Sequence, residues 1–232
     1  MERYDAGDRR RVWEDVHALG PVVALDDDVR RDVEALARRT MERVANNVET
    51  IYGRLVAVGY HFALSEYACV PPGGRQKRDL AMLEEHVGAI PTTLRALFTV
   101  VGDACFRGWP PSAGSAAAWE ANLVDPFELL PDVRSEIERV TDPEVVLEDR
   151  AFQLPIAGDY LHKNDNSGGP PIVVPLPSDE ADARVVEFGV EPVWLVDYLR
   201  AYFVAGGFRR TAATVTYPWE FARRLSDGLL EI

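Results

Sequence analysis

The sequence predicts an α+β fold: a mostly antiparallel sheet packed by helices, with a long helix near the N-terminus. Three observations predict it. Apolar residues recur at spacings of three and four through the front of the chain. From Asp125 the pattern changes to short apolar runs broken by Pro, Gly, Asp and Asn. A broad apolar helical face then returns after Glu191-Pro192. The 232 residues suit one domain or two small ones. The composition shift divides them into a helical extension over 1–58 and an α+β domain over 59–232, read as one compact unit.

Val12, Trp13, Val16 and Leu19 mark a brief docking helix before Gly20-Pro21. Asp26-Asp27-Asp28 is a helix start, since carboxylates accept from the free N–H groups and suit the positive end of the dipole. Val29, Val33, Leu36, Thr40, Val44, Val48, Ile51, Leu55 and Val58 then form a stripe from about Asp28 to Val58. A helix of that length either bends near Asn46-Asn47 or projects beyond the core. Its irregular first half favours a helix lying across the domain over a coiled-coil arm. Gly59–Leu64 alternates like a strand, and Pro71-Pro72-Gly73-Gly74 breaks the chain. Two short amphipathic helices come next. Leu80, Leu83 and Val87 face one way on the first; Leu94, Leu97, Phe98 and Val101 do so on the second. Gly88 ends the first helix, Pro91 starts the second, and Gly102 ends it.

Asp103–Gly108, Pro126–Leu130, Val145–Leu147, Phe152–Leu154, Ile172–Val174 and Val185–Phe188 read as short strands, with a short helix over Pro131–Val140. Trp194, Leu195, Tyr198, Leu199, Tyr202 and Phe203 cover one side of a core helix that opens at Glu191-Pro192 and closes at Gly206-Gly207. Residues 217–230 predict a last helix.

Composition narrows the function. The net charge of −13 repels nucleic-acid phosphates and speeds encounter with a basic partner. No apolar run reaches the ~20 residues a membrane helix needs, and the charged N-terminus does not resemble a secretory signal; the expected location is the cytoplasm. Cys69 and Cys105 form no Cys-x-x-Cys, and His17, His61 and His86 have no i, i+4 partner, so neither a metal site nor a cofactor is expected. No Gly-x-Ser-x-Gly, His-Glu-x-x-His or phosphate-loop motif occurs.

The densest polar cluster is Asp159-Tyr160-Leu161-His162-Lys163-Asn164-Asp165-Asn166-Ser167-Gly168-Gly169. His162 with Asp165 suggests acid–base chemistry, and Ser167-Gly168-Gly169 an anion nest. The simpler reading is a turn whose side chains satisfy their own backbone. Trp109 and Trp119 bound a loop of low charge; they are either interface anchors or a cover for the core edge.

The paired-helix segment Leu80–Gly102 resembles the opening signature of the SUKH superfamily. Asp159, His162, Lys163, Ser167, Gly168, Gly169, Leu176 and Pro177 match a run found in a bacterial subgroup of SUKH-like proteins, and Val196–Arg200 with Gly206-Gly207-Phe208 resembles the same subgroup. The matching pieces span roughly residues 55–210. The resemblance implies an α+β protein-binding domain without catalytic residues, acting as an immunity protein that neutralises a toxin; the charge of −13 makes a basic toxin domain the expected partner. Trp109, Trp119, Asp159, Tyr160, His162, Lys163, Asp165 and Ser167 are the candidate partner-binding residues. Two alternatives stand beside it: a ligand-binding or enzymatic site on the Asp159–Gly169 loop, and a scaffold dimerising through the long helix.

Overall fold

The structure, a computed structural model, describes residues 1–114, 124–145, 151–164, 166, 168–210 and 219–232. No long helix is seen at the N-terminus itself. Two short helices come first, α1 (Glu2–Asp5) and α2 (Arg9–His17). The long helix, α3 (Asp27–Ala57), begins only at Asp27, where the Asp26 carboxylate accepts from the Asp28 and Val29 amides at 3.1 and 2.9 Å. The stripe from Val33 to Leu55 is buried, while Val58 lies past the helix end and is exposed. Trp13 is fully buried and donates through Nε1 to Thr40 at 3.2 Å, which pins α2 across α3. The helix is unbroken from Asp27 to Ala57, and its apolar side meets the second member of the next helix pair.

That pair is α4 (Gly74–Val87) and α5 (Thr92–Ala96). α4 starts six residues before Leu80, since buried Gln76 accepts from the Gly73 amide at 2.9 Å and donates to Asp103 at 2.9 Å. α5 runs into a wide π turn, Leu97–Val101, and stops at Gly102 with φ +79°. A Cβ on Gly102 would strike the Val70 carbonyl oxygen, so only glycine lets the chain turn back here.

Every strand pair is antiparallel among the described residues. β2 (Cys69–Val70) pairs with β3 (Asp103–Cys105), and β3 with β6 (Glu128–Leu129). Just beyond, β1 (His61–Phe62) pairs with β4 (Gly108–Trp109), and β5 (Val124–Pro126) with β11 (Phe208–Arg210). β7 (Phe152–Ala157) pairs with β8 (Ile172–Leu176) and joins the β6 end through Leu130 N–H to the Ile156 carbonyl at 2.8 Å. β8 continues through a Val173–Val186 bridge to β9 (Arg184–Val185) and β10 (Val193–Trp194).

α6 (Val133–Thr141) lies beside β7, and α7 (Tyr160–Lys163) is a single turn inside the polar loop. α8 (Leu195–Val204) buries Leu195, Tyr198, Leu199, Tyr202 and Phe203. It opens later than Glu191-Pro192 because Val193 and Trp194 first pair with β9. α9 (Trp219–Ser226) comes last. Of the strand expected at Val145–Leu147, Val145 belongs to no strand, and the rest lies outside the described residues. One core cluster joins residues from α1 to Ile232.

Candidate interaction surface

The polar loop is built largely to hold itself. Asp159 caps α7, its Oδ1 accepting from the His162 amide at 2.7 Å. Gly168 and Gly169 pack on that carboxylate so closely that a Cβ on Gly168 would strike it. Lys163 points inward and is buried. Its Nζ donates to Asp125 Oδ1 at 2.8 Å and to the Tyr202 hydroxyl at 3.3 Å. Arg209 reaches the same carboxylate at 2.9 Å and Glu187 at 2.8 Å, and the Tyr202 hydroxyl donates to Asp125 as well. Burial opposes the charge on Lys163, but Asp125 together with Tyr198 and Glu128 outweighs it and holds the ammonium above its ordinary pKa. Lys163 therefore anchors the loop to β5, α8 and β11 and presents no cation to a partner.

His162 is the exposed residue of the turn. It lines a cleft of about 370 Å³ with Arg107, Glu128 and Asp132. The cleft's polar groups are tied to nearby backbone: Arg107 donates to the Lys163 carbonyl at 2.6 Å, and Glu128 accepts from the Gly158 amide at 3.0 Å. Tyr160 is half-buried at the start of α7. Asp165 and Ser167 lie outside the described residues, so the expected His162–Asp165 pair is not among the contacts described. Trp119 lies outside them too. Trp109 is half-buried against the core and faces His61 across the β1–β4 pair, with ring centroids 5.6 Å apart. Trp109 packs on a core edge and keeps part of its surface accessible.

The most exposed aromatic among the described residues is Phe188, which the Val185–Phe188 segment places at a strand end. Only Arg184 and Val185 form β9; the chain then leaves the sheet, and Phe188 stands 80% exposed on the turn, with exposed Val190 after it. Phe188 rims a groove of about 430 Å³ whose apolar wall is Pro155, Pro170, Pro171, Val173 and Val186. Its far side carries Arg139, paired with buried Glu136 at 2.6 Å. Pro155 and Pro171 also line the His162 cleft, so the two depressions adjoin. The groove thus sets an apolar lining of three prolines and two valines beside the paired Arg139 and Glu136. The signal available in the sequence was Phe188 with Gly189 and then Pro192 after it, turn residues that end a strand early.

Sequence reasoning also missed a second cluster. His17 meets buried Asp182 at 3.1 Å, stacks on Trp194 at 4.1 Å, and so ties α2 to the β9–β10 hairpin. Thr93 donates to the other Asp182 oxygen at 2.9 Å. The 165 residues separating His17 from Asp182 hide the pair from any local pattern. No group of three or more metal-ligating side chains occurs among the described residues, and no helix among them is long and apolar enough to cross a membrane. Comparison with family models, with curated proteins and with solved structures found no match for this chain.

Proposed function

We propose that the chain is a non-catalytic protein-binding protein of the SUKH kind, a cytoplasmic bacterial immunity protein that binds a basic toxin domain one-to-one and blocks it. The observation that carries this reading is Phe188, an apolar ring held in solvent at the rim of an apolar groove. A ring in that position loses its hydration when a partner covers it, and such aromatics dominate binding energy at interfaces. Two further observations support it. Two polar residues of the loop, Asp159 and Lys163, are engaged in capping and in a buried ion pair. The charge of −13 favours a basic partner and a fast, salt-sensitive encounter. The apolar stripe of α3 packs into the chain's own core.

The test is capture from native cell extract at low and high salt, identification by mass, and titration of the purified partner. A basic protein is expected to bind one-to-one, more weakly as salt rises, with Phe188→Ser weakening it about tenfold or more. A partner indifferent to Phe188 would refute this surface. A retained small molecule with no protein would shift the reading to the His162 cleft.

A further inference from the structure

Beside α8, next to Arg200 and Phe203, the chain folds a short segment of itself into a groove. After α9 the backbone turns at Gly228, with φ +65° and open space around it, and Leu229–Ile232 lies across α3. The contacts are of a particular kind. Asn47, buried on α3, donates through Nδ2 to the Leu230 carbonyl at 2.8 Å and accepts the Leu230 amide on Oδ1 at 2.7 Å. One side-chain amide thus pairs with both main-chain groups of one residue, as a neighbouring strand would. Arg43 donates to the Glu231 carbonyl at 2.6 Å, and Arg200 to the Ile232 carbonyl at 2.7 Å. Arg9 meets the Glu231 carboxylate at 3.1 Å, and the Ile232 side chain is 2% exposed. Main-chain groups supply the grip, one acidic side chain meets an arginine, and one aliphatic side chain fills the end. That is how proteins read extended peptides.

The groove also offers more than its occupant uses. Arg9 Nε and Arg200 Nη2 are buried without a hydrogen-bond partner among the described residues. Tyr4 lies under Arg9, 5.6 Å from ring centre to guanidinium carbon. Burial, and then the charge of Arg9, pull the Arg43 pKa below its ordinary value, so a further anionic group here would be welcomed. An open cleft of about 350 Å³ continues from the segment, lined by Arg10, Phe203, Val204 and Leu229. Buried donors left unpaired are costly, so an occupant with more acceptors would compete well.

From this we infer that the groove between α1–α2, α3 and α8 is a peptide-binding site, held by the chain's own Leu229–Ile232 and open to exchange with an extended acidic–aliphatic segment of a partner. It lies apart from the Phe188 surface and does not depend on the function proposed for it.

Two measurements on the full chain test it. In the wild type, hydrogen exchange at the Leu230 amide is expected through local release, faster than at the buried α3 amides Val44 and Val48. Exchange only with global unfolding would overturn the inference. Second, Leu230→Pro with Ile232→Asp removes the N–H read by Asn47 and the buried end, so the segment lets go. A fluorescent Ser-Asp-Gly-Leu-Leu-Glu-Ile peptide is then expected to bind this variant at least tenfold more tightly than the wild type. Adding Asn47→Ala should abolish that binding, and a peptide with Lys in place of Glu should not bind. Equal binding to variant and wild type would overturn it. If the variant fails to fold, the wild-type exchange measurement decides alone.

Discussion

At the residue scale, Lys163 shows how a surface-looking cluster becomes interior. Its sequence neighbours are polar, yet its ammonium sits with Asp125, Tyr202 and Arg209. Removing one member of a buried pair strands the other, which costs about 3–5 kcal/mol where no substitute exists. Here Arg209 stays on Asp125, so Lys163→Met is expected to cost about 2–4 kcal/mol, read as a lower urea midpoint with an unchanged slope. Cys105 gives a second prediction. Burial, then the charge of Glu128, pushes its thiol up to about 12. A pKa raised by folding means stability that is present below the ordinary thiol pKa and lost as pH climbs through the folded one. Between about pH 9 and 12, then, Cys105 steepens the loss of stability by up to about 1.4 kcal/mol per pH unit. Cys105→Ala should flatten that slope; denaturation at pH 9, 10 and 11 is the check. An unchanged slope would show that this thiol does not govern it.

At the element scale, the glycines of the paired-helix segment separate two kinds of turn. Gly88 and Gly102 both take positive φ, but nothing lies within 4 Å of a Cβ on Gly88, whereas one on Gly102 meets the backbone of Val70, Pro71 and Pro72. Gly88→Ala should therefore cost only the backbone strain, about 1–3 kcal/mol. Gly102→Ala must also push β2 off the end of the π turn, and is expected to cost about 4 kcal/mol or more, or to abolish folding. Comparable losses in thermal melts would mean that β2 yields freely. This segment was legible because its punctuation is local: a glycine, a proline and two apolar stripes state where helices end. The α3 stripe was legible for the same reason. Where long-range pairing decides, the pattern misled. Val193-Trp194 shares the helical spacing of Leu195 to Phe203, yet pairs with Val185 and Arg184 as a strand. Val186 to Phe188 continues a strand-like alternation, yet leaves the sheet after the Val173 bridge. The candidate site was legible only in part: His162 reached a cleft, Lys163 did not reach the surface, and Phe188 emerged from a run that read as a strand.

At the scale of the whole molecule, the question is whether residues 59–232 stand alone. α3 places Val33, Leu36, Met41, Val44, Val48, Ile51 and Leu55 in the common core, each nearly or fully buried. Burying such a side chain is worth about 1.5–3 kcal/mol, so the set is worth upwards of about 10 kcal/mol. A domain's whole margin is about 5–15 kcal/mol. The front helices are further tied to the back by His17 to Asp182, by Asn47 to Leu230 and by Arg54 to the Leu225 carbonyl at 2.7 Å. None of these contacts survives a cut at residue 58. The fragment 59–232 is therefore expected to lack a dispersed proton spectrum and to bind a hydrophobic dye, while the full chain unfolds in one transition seen alike by fluorescence and circular dichroism. A fragment that folds and melts cooperatively would show that the boundary at residue 58 separates two units, with α3 a detachable cover rather than the middle of the core.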